Sequence, residues 1–77
     1  MHYGTSTRLA PQAVLEKAEN YFGALGLKMT SRAEDRMKWE GASGFVTMYL
    51  YPGKESEVDI ITSGWDLQVK KFLQRIG

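Results

Sequence analysis

The sequence predicts an α+β fold in which an antiparallel sheet of four or five strands carries two helices on one face. Two segments, residues 11–25 and 64–76, repeat their apolar residues at helical spacing. Between them, apolar and polar residues alternate as in strands, and short turns rich in glycine interrupt the alternation. The predicted order is β-α-β-β-β-β-α, and the 77 residues are expected to form one domain, 1–77.

The composition limits the classes of function. Ten Lys and Arg against nine Asp and Glu give a net charge of +1, so there is no general attraction to nucleic acid or to an anionic membrane. The chain has no cysteine, which excludes disulfides and thiolate chemistry. No stretch approaches the ~20 apolar residues of a membrane span, and no signal peptide leads the chain. We therefore expect a soluble, cytoplasmic protein.

The first two predicted elements are a strand and a helix. Residues 2–9 are rich in Thr and Tyr without helical spacing, which favours a short polar strand at a sheet edge. The predicted helix 11–25 opens on a proline, whose missing amide hydrogen costs nothing in a first turn. Gly26 can end it in the left-handed conformation, and Leu27 then folds back on Phe22.

Four consecutive strands are predicted next, as a meander: Leu27–Arg32, Arg36–Gly41 and the two strands of the hairpin Gly44–Thr62. The turns between them are Ala33–Asp35, Ala42-Ser43 and Gly53–Glu55. These turn lengths predict the cross-strand pairs Met29–Trp39, Thr30–Lys38, Trp39–Val46, Met37–Met48, Met48–Ile60 and Leu50–Val58. Every pair joins residues of similar chemistry, and a slip of one residue in any turn would destroy the agreement.

The last predicted element is helix 64–76. Ser63 and Asp66 have the spacing of a capping box, with Asp in place of Glu. Because no other part of the chain can cover the aliphatic sheet face, both helices must pack on it. The predicted core consists of Val14, Leu15, Phe22, Leu27, Met29, Met37, Trp39, Val46, Met48, Leu50, Val58, Ile60, Trp65, Val69, Phe72 and Ile76.

The element order resembles two known layouts over the whole chain, as topology without any family motif. One is the repeat unit of the TATA-binding-protein-like fold, and the other is a reduced helix-grip fold of the Bet v 1 and START kind. The first resemblance implies that partners bind on the open sheet face or that two copies pair by their edges. The second implies a ligand cavity between the sheet and the last helix.

The open sheet face is the predicted functional surface. It has a basic side, an aromatic middle and an acidic side, and so much exposed apolar surface is rare in a monomer. The charge gradient also suits a two-fold dimer. We therefore predict contact with a second copy or another protein, through this face or through the edge strand 2–9. The predicted partner-binding residues are Lys28, Arg32, Arg36, Lys38, Phe45, Tyr49, Tyr51 and Ile61. The acidic side comprises Glu57 and Asp59.

Three alternatives stay open for this chain. The open face can be solvated, with cross-strand Tyr and Thr pairs. Aromatic residues flanked by Lys and Arg are also typical of single-stranded nucleic-acid binding. Finally, the methionines around Trp39 and Trp65 could form an adaptable pocket for a small apolar ligand under the C-terminal helix.

The sequence offers little for catalysis or metal binding. His2, the only histidine, lies at the chain end without a nucleophile beside it. Glu55, Glu57 and Asp59 share a strand face, but no acidic loop suited to a hard cation accompanies them. We therefore expect a non-enzymatic protein with neither metal nor cofactor.

Overall fold

The computed structural model describes residues 1–77 and has the predicted α+β architecture. A five-stranded antiparallel sheet has the strand order β1-β5-β4-β3-β2, and the two helices pack against it. The fold class and the element order are therefore confirmed. The elements are β1 (His2–Thr7), α1 (Pro11–Ala24), β2 (Lys28–Arg32), β3 (Arg36–Gly41), β4 (Gly44–Tyr51), β5 (Ser56–Ser63) and α2 (Asp66–Ile76).

Strand β1 occupies one edge of the sheet and pairs with β5, the last strand in the chain. This confirms the edge strand predicted for residues 2–9, although the strand ends at Thr7. The hydroxyl of Thr7 donates a hydrogen bond to the Ile76 carbonyl at the end of α2. Since Thr7 is buried, this bond satisfies a polar group inside the fold and ties β1 to the last helix.

Helix α1 ends as the sequence predicts, with a backbone turn that reverses the chain onto the helix. Gly26 has φ of 88°, a left-handed value that favours glycine. The Leu27 N–H donates to the Phe22 carbonyl at 3.2 Å, and the Gly26 N–H donates to the Gly23 carbonyl at 3.0 Å. These two bonds form a Schellman motif and lead Leu27 into the core.

The registers predicted for the three central strands are confirmed. Residues that share the aliphatic face pair directly across the strands. The observed pairs are Met37–Met48, Trp39–Val46, Met48–Ile60 and Leu50–Val58. All seven of these residues are buried, so the alternation and the turn lengths together fix which face carries the core.

Strand β2 departs from the predicted register. Met29 pairs with Trp39 as predicted, but Ser31, rather than Thr30, pairs with Lys38. The predicted Thr30–Lys38 pair is wrong because Thr30 is the extra residue of a β-bulge. A bulge reverses the faces of the residues that follow it.

The start of α2 also differs from the prediction. Ser63 is the last residue of β5, and the helix begins at Asp66. Gly64, with φ of 85°, makes the turn between them. The predicted capping box is wrong because no side chain caps this helix; the Asp66 carboxylate instead accepts a hydrogen bond from the Tyr3 hydroxyl at 2.7 Å.

The core lies between the helices and the sheet. Every predicted core residue is buried except Met29 and Trp65, which are half-buried at its margin, and Ala18 and Leu73 complete it. The Phe22 ring lies 5.0 Å from the Trp39 ring and 5.2 Å from the Phe72 ring, which joins α1 to β3 and α2. Neither helix has the length and apolar character needed to cross a membrane.

Candidate functional site

The candidate site is the sheet face opposite the helices, here called the open face. Its central strand is β4, whose open-face residues alternate with the buried ones and carry no charge: Phe45, Thr47, Tyr49 and Tyr51. Both helices pack on the other face of the sheet, where they form part of one core. The open face therefore presents a neutral, largely aromatic strip along its middle.

Beside Tyr49, the strands on either side of β4 carry opposite charges. In one row across the sheet, Arg36 of β3 pairs with Tyr49, and Tyr49 pairs with Asp59 of β5. The next row runs from Lys38 through Thr47 to Ile61. Strands lie about 4.8 Å apart, so each row spans roughly 10 Å from β3 to β5.

Strand β1 lies beside the acidic strand β5, and the sequence alone did not indicate this neighbour. Gly4 pairs with Asp59, and a Cβ built on Gly4 would lie 2.5 Å from Asp59 Oδ1. The carboxylate therefore leans over the glycine, and His2 Nε2 lies 3.8 Å from the same oxygen. Because side chains alternate along a strand, the sequence of residues 2–7 indicates that Tyr3 faces away from His2 and Gly4. It does not indicate which strand β1 pairs with, because no short turn joins β1 to a neighbouring strand.

The apolar part of the open face is concentrated in four side chains. Tyr51 is 49% exposed and Ile61 is 40% exposed, while Phe45 and Tyr49 are half-buried by their neighbours. The Lys38 ammonium lies 5.3 Å from the centre of the Phe45 ring, within cation–π range. These residues form one patch, because they lie on adjacent strands.

All of the predicted partner-binding residues except Arg32 lie on this face. Lys28 pairs with Glu40, which places it beside β3 on the same side as Arg36 and Lys38. The sequence prediction places Arg32 on the open face, and this is wrong. The bulge in β2 sets it opposite Met37, and its Nη1 lies 3.3 Å from Glu19 Oε1 of α1.

The charges on the open face balance, and the cations among them are unpaired. Three cations, Lys28, Arg36 and Lys38, accompany three carboxylates, Glu40, Glu57 and Asp59. The ion pairs of the molecule involve none of these cations, and Asp59 is paired only with His2. β4 thus separates Arg36 and Lys38 from Glu57 and Asp59, whereas Glu40 lies on the basic side, paired with Lys28 across β2 and β3.

The main clefts lie on the helix side of the molecule. One, of about 500 Å³, runs between the C-terminal halves of α1 and α2. Its lining comprises Lys17, Asn20, Tyr21, Ala24, Leu25, Phe72, Arg75 and Ile76. The second, of about 470 Å³, adjoins it near the end of β1.

Neither cleft is lined by Trp65, the centre of the predicted ligand pocket. Trp65 packs against the core, with its Nε1 buried and without a hydrogen-bond partner.

The structure groups no three His, Asp or Glu side chains in a way that could hold a metal ion. Of the three carboxylates considered from sequence, Glu55 lies before β5, where its Oε2 is 4.0 Å from Arg8 Nε. Asp59 faces His2 instead.

No protein-family model matches the chain, and no curated protein matches it. The case for a function therefore depends on the geometry of the open face and on the charges that it carries.

Proposed function

We propose that the protein is a non-enzymatic binding and assembly module that self-associates through its open face. The observation that carries this proposal is the aromatic patch on a sheet face that no helix covers. Tyr51 and Ile61 are each at least 40% exposed there. Contiguous apolar surface of this kind, rimmed by charged residues, marks contact sites more often than free surface.

A second copy is the preferred partner because the face is complementary to itself. A basic strand and an acidic strand flank the same neutral strand, so two copies can meet with opposite charges opposed. Another protein would have to supply the same pattern independently. The proposal therefore needs no component beyond the chain itself.

The size of the face sets the expected strength of the contact. Five strands span roughly 20 Å across the sheet, and the longest strands span roughly 25 Å. The footprint is smaller than the roughly 800 Å² that each partner contributes to a standard interface. We therefore expect a dissociation constant on the order of micromolar.

The edge strand β1 is the other contact that self-association can use. Met1 and Thr62 exchange hydrogen bonds, with the Thr62 N–H donating to the Met1 carbonyl at 2.9 Å. Since bonded and non-bonded pairs alternate in an antiparallel ladder, the amide groups of His2, Gly4 and Ser6 point away from β5. These groups are available to a second β1.

Single-stranded nucleic acid is the weaker candidate partner. Arg32 faces α1 instead of the open face, and the remaining three cations are matched by three carboxylates. Phosphate binding depends on an excess of positive charge and weakens with salt. Tyrosine fluorescence that changes with added oligonucleotide at low salt, and recovers at high salt, would favour this alternative.

The experiment that tests self-association is sedimentation of the chain from low to high micromolar concentration. We expect the wild type to dimerise and Tyr51→Glu to weaken dimerisation at least about tenfold, because a buried unpaired charge is costly. Tyr49→Ala is expected to act in the same direction. Leu67→Glu is the matched control, since Leu67 is 59% exposed on α2, on the helix side of the molecule.

A wild-type chain that stays monomeric at high micromolar concentration contradicts the proposal. If the wild type dimerises and the two tyrosine variants dimerise equally well, the open face is not the contact, and pairing through β1 explains the dimer. Unfolding curves for each variant verify that the effects do not come from loss of the fold.

A further inference from the structure

The self-association proposed above leaves the relative orientation of the two copies open, and the open face constrains it. We infer that the second copy lies face to face on the first, with the two-fold axis parallel to β4, so that Arg36 of each copy faces Asp59 of the other. This inference rests on the proposed function and adds to it an arrangement and a pair of specifying residues.

The first support is that charge reverses sign across β4. Arg36 and Asp59 lie in the same row, on opposite sides of Tyr49. Lys38 lies beside Arg36 on β3, and Glu57 lies beside Asp59 on β5. Glu40 is the exception on β3, but it lies at the far end of the strand, paired with Lys28 and not with Arg36.

The second support is the choice of axes open to two stacked sheets. An axis parallel to β4 exchanges the two flanks, so that β3 of one copy lies over β5 of the other and Tyr49 lies over Tyr49. An axis perpendicular to the strands that passes through the row of Tyr49 keeps each flank over itself and sets Arg36 over Arg36. Like charges opposed in an interface are strongly unfavourable, so the first axis is selected. Either axis keeps the strands of the two sheets close to aligned, as in ordinary sheet-on-sheet packing, so the charges decide between the two axes.

The third support is that both groups are available for the contact. Arg36 is exposed and forms no ion pair within its own chain, and Asp59 has only the His2 contact at 3.8 Å. Asp59 leans over Gly4, which has no side chain, and its own side chain is 36% exposed. The arginine of a second copy can therefore reach the carboxylate and form a bidentate pair.

The test is a charge exchange between two variants. Arg36→Asp makes both positions acidic, and Asp59→Arg makes both positions basic, so each variant alone is expected to dimerise at least about tenfold more weakly than the wild type. In an equimolar mixture, Asp at 36 meets Arg at 59, and Arg at 36 meets Asp at 59. We therefore expect the mixture to dimerise within a few-fold of the wild type. Native mass spectrometry distinguishes the mixed dimer, because the two variants differ in mass.

Loss of dimerisation in each variant alone, with recovery to about the wild-type level in the mixture, supports the axis along β4. An axis perpendicular to the strands already opposes like charges in the wild type, so it predicts single variants that dimerise as well as the wild type and a mixture that dimerises more tightly than the wild type. That result overturns the inference. A second pair, Arg36→Glu with Asp59→Lys, decides the matter if either first variant fails to fold.

The failure of this inference can be told from the failure of the proposed function. A wild-type dimer that Tyr51→Glu disrupts, without recovery in any mixture of the charge variants, overturns the arrangement and leaves the function standing. A wild type that never dimerises overturns both.

Discussion

The two faces of the sheet contain similar residue types in very different surroundings. Phe22 of α1, which packs on the covered face, is fully buried among aromatic rings, whereas Phe45 on the open face is half-buried beside Lys38. Tyr3 and Tyr49 differ likewise: the Tyr3 hydroxyl donates a hydrogen bond to Asp66 of α2, and the Tyr49 hydroxyl has no hydrogen-bond partner within the chain. Arg32 is paired to a helix, and Arg36 is unpaired.

Because the two faces differ in this way, we expect the covered face to determine the stability of the fold and the open face to determine association. Residues on the covered face have their partners within the chain, so their substitution is expected to change the free energy of unfolding. Residues on the open face have few and weak partners within the chain, so their substitution is expected to change association more than the free energy of unfolding. Each pair of matched residues gives a direct test of this separation.

The largest effect is expected for the phenylalanine pair. Phe22→Ala removes a fully buried ring and leaves a cavity, which costs about 3–5 kcal/mol of the free energy of unfolding. Phe45→Ala, on the half-buried side, is expected to cost about 1 kcal/mol. Urea denaturation followed by circular dichroism measures both values. Equal losses at the two positions would show that the open face is as structural as the covered one.

The tyrosine pair is expected to give an intermediate effect that depends on pH. The hydrogen bond donated to Asp66 raises the pKa of Tyr3 above its usual value of 10.0, with further contributions from desolvation and from the Asp66 charge. Because the folded state holds this proton more tightly, the stabilisation is present below pH 10 and is lost as the pH rises through the raised pKa.

We therefore expect Tyr3→Phe to be less stable than the wild type at neutral pH and to approach it in stability above pH 10. Tyr49→Phe, the open-face control, is expected to match the wild type at neutral pH. Thermal unfolding at a series of pH values measures the differences. A constant gap between Tyr3→Phe and the wild type across this range argues against the hydrogen bond as its source.

The smallest effect is expected for the arginine pair. The Arg32–Glu19 ion pair is half-exposed, with side chains 53% and 40% exposed, so solvent screens it. Arg32→Ala is expected to cost about 0.5 kcal/mol, and Arg36→Ala is expected to leave unfolding unchanged while weakening dimerisation. A double-mutant cycle with Glu19→Ala measures the coupling free energy between the two side chains. A coupling of zero would show that the Arg32–Glu19 ion pair does not contribute to the free energy of unfolding.

Much of the fold could be predicted because local signals in the sequence agree with one another. The two-residue turn at Ala42-Ser43 links two alternating strands, so their register follows from counting residues. The left-handed Gly26 and the apolar Leu27 likewise specify how α1 ends. In these places the conformation depends on neighbours in sequence.

The rest depends on contacts between distant residues, which a sequence pattern does not specify. Thr30 looks like any other strand residue, and nothing in its sequence neighbourhood marks it as the bulge of β2, the strand beside α1. Ser63 has good capping chemistry, yet β5 extends through it because it pairs with Phe45. For the same reason, the open face was predicted with Arg32 included and with the position of β1 unspecified.

If copies of the chain pair through their sheet edges, the bulge in β2 is expected to limit how far the chain can polymerise. A sheet that is regular at both edges can add copies end to end without limit and grow into a fibre. Here one edge is regular, while the other is interrupted at Thr30 and flanked by Lys28 and Arg32. Joining two copies through their regular edges would use up the one regular template for growth, so we expect strand-by-strand assembly to stop at two copies.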